Sequence, residues 1–304
     1  MLNFLAMILN KIKILDYFYL IVPFLVIWIL FHFFSVILGI LLSFTKENNI
    51  KNLFFLFKSF TLDNYVSILK DSLFWVSLKN SVIYTLIVFP LQFFAFLIAY
   101  FLYELTISKI YFFNYFSYIS RIILYLPVVI PLVSIGFVFK ILFNDEGIVN
   151  QYLALVNLKI PFLSDYKFAF LVCMLLTFWK GLGYYLIIYF SGFLSINKEI
   201  VENAIIEGFN RYNLFLKIYL PLSIGNIYFC SFLSFIAALK IFIEIYVLTE
   251  GGPGISTYTL MMYIYSKAFM SYDINSAAAA STLLSIIVII FTLFIFKKQL
   301  FYYQ

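Results

Sequence analysis

Six stretches of predominantly apolar residues, each long enough to cross a lipid bilayer, dominate this sequence. A helix needs about 20 apolar residues to span roughly 30 Å of hydrocarbon. Because no water reaches that layer, the backbone N–H and C=O groups must be satisfied internally, as they are in helices. The ten-residue alternation of a transmembrane barrel strand is absent. The pattern predicts an all-α membrane protein with six transmembrane helices, at about residues 17–44, 80–103, 118–143, 168–194, 218–248 and 274–296.

The composition excludes the main soluble classes. Of the 304 residues, 65% are hydrophobic and 11% are charged, whereas soluble globular domains carry about 45–50% and about 25%. A soluble enzyme, a nucleic-acid-binding domain and a disordered chain are therefore excluded. The net charge of +6 comes from lysines that lie singly between apolar runs, and these form no basic stripe for a phosphate backbone. We expect the lipid bilayer as a partner and no nucleic acid.

Residues that could hold a metal are sparse. Cys173 and Cys230 both fall inside apolar runs, where cysteine acts as a small hydrophobic residue, and His32 is the single histidine. A metal site needs several such ligands at workable spacing, so we expect no metal and no cofactor. Residues 1–16 do not form a cleavable signal peptide, because the apolar run after them is too long and no small-residue cleavage site follows.

An even number of spans places both termini on one side of the membrane. Lysine and arginine occur in the short segments on that side, and this bias favours cytoplasmic termini, although the long first loop on the other side also carries lysines. We therefore predict a single transmembrane domain over residues 1–304. It has a cytoplasmic N-terminus, an external loop, a cytoplasmic loop and a second external loop, at residues 1–16, 45–79, 195–217 and 249–273.

The loop between the fourth and fifth spans is polar and helical in pattern. Asn197 is suited to cap a helix, and Glu199 lies in the first turn, where negative charge is favoured. Gly208 is suited to end the helix, and Ala204, four residues earlier, leaves that face nearly flat. A second short helix follows, and Pro221 lies where the fifth span begins. Physical reasoning alone leaves two interpretations open: an amphipathic helix lying on lipid headgroups, and a projection presented to a soluble partner.

The residues of this loop resemble a known signature. The pattern Glu202-x-Ala204-x3-Gly208-x9-Ile218-x-Leu220-Pro221 resembles the coupling loop of the inner-membrane permease subunits of binding-protein-dependent ABC importers. The resemblance implies a coupling helix that docks in a cleft of a cytoplasmic ATPase subunit, with coupling residues Glu202, Ala204, Glu207, Gly208, Ile218 and Pro221. The sequence departs from the family at three positions, which are usually proline, alanine and aspartate and here are Asn197, Asn203 and Glu207.

A second stretch is similar to sugar-importer permeases of the maltose-permease type. It contains Gly251-Gly252-Pro253-Gly254 and continues to Ala268-Phe269. The same resemblance extends to Lys79-Asn80 at the entry of the second helix and to Trp179-Lys180-x-Leu182-Gly183 in the fourth helix. It covers nearly the whole chain and implies the type I ABC importer permease fold.

Charged groups at membrane depth need a partner or a water-filled cavity. Lys180 lies within the fourth span, and Lys240 and Glu244 lie four residues apart in the fifth, where they would share a helix face and could pair. One interpretation is a structural ion pair with Lys180 near a cavity wall. The other is a substrate pathway in which these groups offer hydrogen bonds to sugar hydroxyls, and its candidate residues are Lys180, Gly181, Tyr184, Ser234, Lys240 and Glu244.

The resemblance implies a non-catalytic transport subunit in the inner membrane of a bacterium. The chain has no phosphate-binding G-x-x-x-x-G-K-[ST] motif, so ATP hydrolysis is expected from a separate chain. The implied partners are a second homologous permease subunit, two copies of a cytoplasmic ATPase subunit and an external solute-binding protein. The expected cargo is a sugar or oligosaccharide.

Three alternatives stay open at this point. Lys180 and Lys240 would also suit an anionic solute such as glycerol phosphate. An ion-driven secondary transporter would need membrane-embedded carboxylates in matching halves, and Glu244 is the single acid in the middle of a span. A membrane-embedded enzyme would need convergent catalytic groups, and His32 has no facing carboxylate in the sequence pattern.

Overall fold

The apolar runs form helices in the computed structural model, which describes Tyr19, residues 21–46 and residues 60–302. Two predicted segments, residues 1–16 and residues 47–59 of the first external loop, lie outside the described residues. The helices are α1 (Ile21–Ser43), α2 (Asp63–Lys70), α3 (Ser72–Ile107), α4 (Tyr111–Val129), α5 (Leu132–Leu142), α6 (Ile148–Ala154), α7 (Tyr166–Leu194), α8 (Lys198–Ile206), α9 (Arg211–Leu222), α10 (Ile224–Leu239), α11 (Ile243–Leu248), α12 (Leu260–Tyr265) and α13 (Ile274–Tyr302).

Five of these helical segments are long and apolar enough to cross a membrane: α1, α3, α4, α7 and the part of α13 from Ile274 to Leu293. Helices α9 and α10 meet the same test together, although the chain bends by 62° between them. When this bent pair is counted as one span, the described part of the chain contains the six spans predicted from the sequence.

Two of the predicted spans do not each form one continuous helix, and the bounds predicted for these two were wrong. The predicted third span, residues 118–143, is divided into α4 and α5 at Pro131, which has no N–H group and disfavours a helical conformation at Ile130. The predicted fifth span, residues 218–248, is interrupted between Leu239 and Ile243. Both breaks leave backbone N–H and C=O groups without a hydrogen-bond partner in their own helix, so other residues must supply one.

The chain divides into two compact units. The first combines residues 1–70 with residues 264–283. In it, side-chain amides satisfy the carbonyls at the end of α1: Asn64 Nδ2 donates to Ser43 O at 2.9 Å and Thr45 O at 2.8 Å, and Asn275 Nδ2 donates to Thr45 O at 3.0 Å. Because the last carbonyls of a helix have no partner within it, these bonds fix the point at which α1 ends.

The second unit combines residues 71–263 with residues 284–304, and its core lies among α3, α4, α7 and α10. Helix α7 crosses α4 closely at Gly183, where a Cβ atom would collide with the backbone at Leu124 and Tyr125. Helices α5 and α11 also meet closely, since a Cβ at Gly136 would lie 2.8 Å from Val247 Cγ1. The prediction of one transmembrane domain over residues 1–304 stays a prediction.

Candidate functional site

A cavity of about 200 Å³ lies among α3, α4, α7, α10 and the first turn of α11, all within the second unit. Five of the six predicted pathway residues line it: Lys180, Gly181, Tyr184, Ser234 and Glu244. Most of the remaining wall is apolar. The cavity therefore brings one ammonium, one carboxyl group and the hydroxyls of Thr177, Tyr184, Tyr185 and Ser234 together in an apolar surround, an arrangement that can hydrogen-bond a polar solute.

Lys180 is tied to the break between α4 and α5. Its ammonium donates a hydrogen bond of 3.0 Å to the Ile130 carbonyl. In an unbroken helix that carbonyl would accept from an N–H four residues later, but at Ile130 the backbone is extended and the following residue is Pro131. The Lys180 side chain therefore satisfies an acceptor that the proline break leaves open.

The predicted pairing of Lys240 with Glu244 was wrong. Lys240 is the first residue after the end of α10 and is exposed, whereas Glu244 lies in the first turn of α11 and is partly buried. Residues three or four apart face each other only along an intact helix, and the break separates these two. The ion pairs found in the described ranges join Lys46 to Asp63 and Lys140 to Glu250, so Lys240 and Glu244 do not pair and Lys240 does not line the cavity.

The polar loop folds as α8, with the predicted cap and stop. Asn197 accepts a hydrogen bond of 3.0 Å from Glu199 N, and Gly208 adopts a φ of +87°. Ala204 is buried, together with Val201, in the apolar cluster of the second unit. That buried face binds α8 to its own chain, so Ala204 does not form an exposed flat face.

The predicted coupling residues fall into an exposed set and a packed set. Glu202, Glu207 and Gly208 are exposed. Ala204 is buried, Ile218 packs against the apolar cluster, and Pro221 is partly buried in the last turn of α9.

The apolar surface on the exposed face of α8 was not predicted from the sequence. Ile205 is 55% exposed and Ile206 is 83% exposed. Two adjacent isoleucines cannot both face the core of a helix, and that signal was available in the sequence.

Two segments that resemble the permease family, Lys79-Asn80 and the stretch that begins at Gly251, are distant in sequence but contact each other in the second unit. Asn80 Nδ2 donates to the carbonyls of Ile255, Ser256 and Tyr258 at 3.3, 3.1 and 3.0 Å. The Gly251–Gly254 turn precedes these carbonyls, and Gly251 adopts a left-handed φ of +92°. Asn80 therefore anchors the loop after this turn to α3.

Residues with metal-ligating side chains do not converge in the described ranges. No group of three or more His, Cys, Asp or Glu residues is placed to hold a metal ion there. Cys173 and Cys230 are free thiols and are buried.

Comparison with known proteins gives a consistent result. The model of the family described as "Binding-protein-dependent transport system inner membrane component" matches residues 105–300. The chain is 30% identical to the probable ABC transporter permease protein YurN of Bacillus subtilis (strain 168) over 290 residues, which cover 93% of this chain and 95% of that protein. It is 31% identical to the lactose transport system permease protein LacF of Rhizobium radiobacter over 222 residues, or 71% of this chain and 72% of that one.

The fold also matches solved structures. A chain in the crystal structure of a bacterial alginate ABC transporter, bound to a periplasmic protein with an alginate pentasaccharide, aligns with a TM-score of 0.78 and 20% sequence identity. The alignment covers 94% of each chain. At this identity the likeness concerns the fold, and it confirms the predicted type I ABC importer permease fold with its all-α membrane architecture.

Proposed function

Since the chain belongs to the family of binding-protein-dependent transport system inner membrane components, we propose that it is the membrane-spanning permease subunit of an ATP-driven importer. It forms the translocation path for a sugar or oligosaccharide delivered by an external solute-binding protein. The observation that carries this proposal is the cavity that gathers Lys180, Tyr184, Ser234 and Glu244. The lactose permease among its relatives supports a sugar as cargo.

The charges in the cavity favour an uncharged solute over an anion. Lys180 is the cation of the cavity wall, and its ammonium is already engaged by the Ile130 carbonyl. Glu244 adds a carboxyl group to the same wall, which supplies no positive charge to bind a phosphate. Sugar hydroxyls can both donate and accept hydrogen bonds and thus suit such a mixed wall. Glycerol phosphate is therefore the less favoured cargo.

Helix α8 is the proposed coupling helix. Its exposed residues Glu202, Ile206 and Glu207 would enter a cleft of the ATPase subunit, while Val201 and Ala204 pack in the apolar cluster that also contains residues of α3 and α7. When ATP closes the ATPase pair, α8 moves with it, and its buried face transmits the displacement to these membrane helices. The result is a rigid-body switch between two packings that changes access to the cavity.

The proposed assembly follows from this role. It contains a second homologous permease subunit, two copies of a cytoplasmic ATPase subunit and the external solute-binding protein. The chain lies in the bacterial inner membrane as one transmembrane domain with cytoplasmic termini. Residues 195–217 then face the ATPase, and the loops at residues 45–79 and 249–273 face outward. ATP hydrolysis by the separate ATPase subunits is the proposed source of energy, and this subunit is proposed to be non-catalytic.

Uptake by the reconstituted transporter tests the proposal. Vesicles that contain the assembled transporter and the external binding protein should accumulate a labelled sugar when ATP is supplied on the ATPase side. Accumulation driven by a sodium or proton gradient without ATP would instead identify a secondary transporter. Uptake of labelled glycerol phosphate in place of every sugar offered would identify the alternative cargo.

A further inference from the structure

A second cavity, larger than the first, lies at the end of the second unit that carries the polar loop. It has a volume of about 510 Å³ and is enclosed by the last turns of α3, the α3–α4 link and the first residues of α9. Its walls are mostly apolar and aromatic, with Phe101, Phe113 and Phe215 among them. Cavities of this size and lining are typical of ligand sites.

Two opposite charges line this cavity. Glu104 comes from the end of α3 and Arg211 from the start of α9, and the Tyr100 hydroxyl lies near both. Neither charge belongs to an ion pair anywhere in the residues that the structure describes. A carboxylate and a guanidinium held apart in one apolar cavity are complementary to a ligand that carries both an ammonium and an anionic group.

The position of the cavity indicates the source of that ligand. Glu104 lies in the last turn of α3, which ends at Ile107, and Phe113 lies in the first turn of α4, which begins at Tyr111. The cavity therefore lies at the border between hydrocarbon and water, where phospholipid headgroups are found. Phe101 is 57% exposed and Phe113 is 38% exposed, so the apolar side of the cavity is open to the acyl chains of the bilayer.

We propose that this cavity binds an ethanolamine phospholipid. The ammonium of the headgroup bonds to Glu104, the phosphate pairs with Arg211, and the upper parts of the acyl chains lie along Phe101 and Phe113. Arginine is suited to the phosphate because its planar fork matches the oxygen geometry. The bound lipid bridges α3 to α9, the helix that follows α8. The proposal is independent of which solute is transported and of how ATP drives transport.

Lipid retention tests the site directly. The full chain is purified in mild detergent together with the subunits that accompany it. It is then mixed with equal amounts of phosphatidylethanolamine, phosphatidylcholine and phosphatidylglycerol that share the same acyl chains. Native mass spectrometry then measures which lipid is retained. We expect the ethanolamine lipid to exceed the choline lipid by roughly fivefold, the factor that one net hydrogen bond supports. Equal retention of the three lipids would overturn the proposal.

Single substitutions assign the two charges. Glu104→Leu should remove the preference for ethanolamine over choline, because the quaternary ammonium of choline donates no hydrogen bond and leucine leaves the ethanolamine ammonium without an acceptor. Arg211→Gln should lower retention of both lipids. Glu199→Gln and Lys109→Gln change exposed charges outside the cavity and should leave the preference intact. A preference that survives Glu104→Leu would contradict the assignment.

A photocrosslinker identifies the occupant without disturbing either charge. Ile110 lines the cavity and is 55% exposed, so a benzophenone amino acid at this position reaches the opening. An adduct with the mass of one phospholipid is the expected product. A crosslink to another polypeptide would show that a partner subunit fills the cavity and would overturn the proposal. Protection by soluble glycerophosphoethanolamine without any lipid adduct would identify a free metabolite as the ligand, which also contradicts a lipid site.

Discussion

The Lys180 ammonium donates a 3.0 Å hydrogen bond to the carbonyl of Ile130, fifty residues earlier in the chain. This bond satisfies the backbone acceptor at the break between α4 and α5. It also holds the Lys180 ammonium in the wall of the 200 Å³ cavity. The two interpretations of Lys180 that the sequence left open are therefore compatible. A single side chain can satisfy the open backbone acceptor and line the proposed pathway.

Lys180→Met should destabilise the transporter. Removal of the donor leaves the Ile130 carbonyl unsatisfied, at a cost of about 1–3 kcal/mol, and we expect a lower thermal unfolding midpoint together with reduced sugar uptake. Lys180→Arg keeps a donor and should retain more stability. Lys140→Met is the matched control, because Lys140 forms a solvent-exposed pair with Glu250. Equal midpoints for wild type and Lys180→Met would show that the bond contributes nothing.

Gly208 should tolerate asparagine better than valine. The residue has a φ of +87° and open space where a Cβ would lie, so the cost of substitution is backbone strain alone, about 1–2 kcal/mol for a β-branched residue. We expect Gly208→Asn to retain most uptake. Gly208→Val and Gly208→Arg should lose uptake while ATP hydrolysis continues and membrane insertion is normal. Gly39→Ala, at an open position inside α1, serves as control. Normal uptake by Gly208→Arg would contradict the coupling role.

Ile206→Asp should separate the chain from its ATPase without unfolding it. Ile206 is 83% exposed, so its replacement should change the free energy of unfolding by less than about 0.5 kcal/mol. We expect loss of ATPase co-purification and of uptake. Tyr152→Asp changes another exposed apolar residue, on α6, and should leave co-purification unchanged. Should Ile206→Asp still bring down the ATPase in full yield, α8 is not the docking surface.

Asn80→Ala should release the loop that follows the glycine-rich turn. Three carbonyls, at Ile255, Ser256 and Tyr258, would lose their shared donor. We expect faster amide hydrogen exchange over residues 255–258 and an unchanged rate in α7. The neighbouring Lys79→Ala removes an exposed side chain and provides the comparison. Identical exchange in Asn80→Ala and wild type would mean that other contacts hold the loop.

Local chemistry made several features of this protein predictable. Apolar runs of about 20 residues leave the backbone no alternative to helices in hydrocarbon, so the six spans follow from hydropathy. The ends of α8 also follow, since Asn197 caps through its own side chain and Gly208 adopts a left-handed conformation without steric cost. Each of these depends on interactions within a few residues.

The errors arose where hydropathy carries no information about helix continuity. Pro131 lies in an apolar run that reads as one span, yet it divides the span into α4 and α5. The break between Leu239 and Ile243 has no proline, and it separates Lys240 from Glu244. Apolar side chains suit an intact and an interrupted helix equally, so pairing at four-residue spacing could not be predicted safely.

The sequence by itself determined that this protein lies in a lipid bilayer, that it is helical, and where helix α8 begins and ends. These features depend on residue polarity and on short-range backbone chemistry. Tertiary structure alone decided that Lys180 reaches Ile130, that Asn80 holds a loop some 175 residues away, and that Ile206 faces outward while Ala204 is buried. Such contacts depend on how helices cross. Crossing is set by close approaches such as that of Gly183 to the backbone of α4, and no residue pattern within one helix specifies its neighbour.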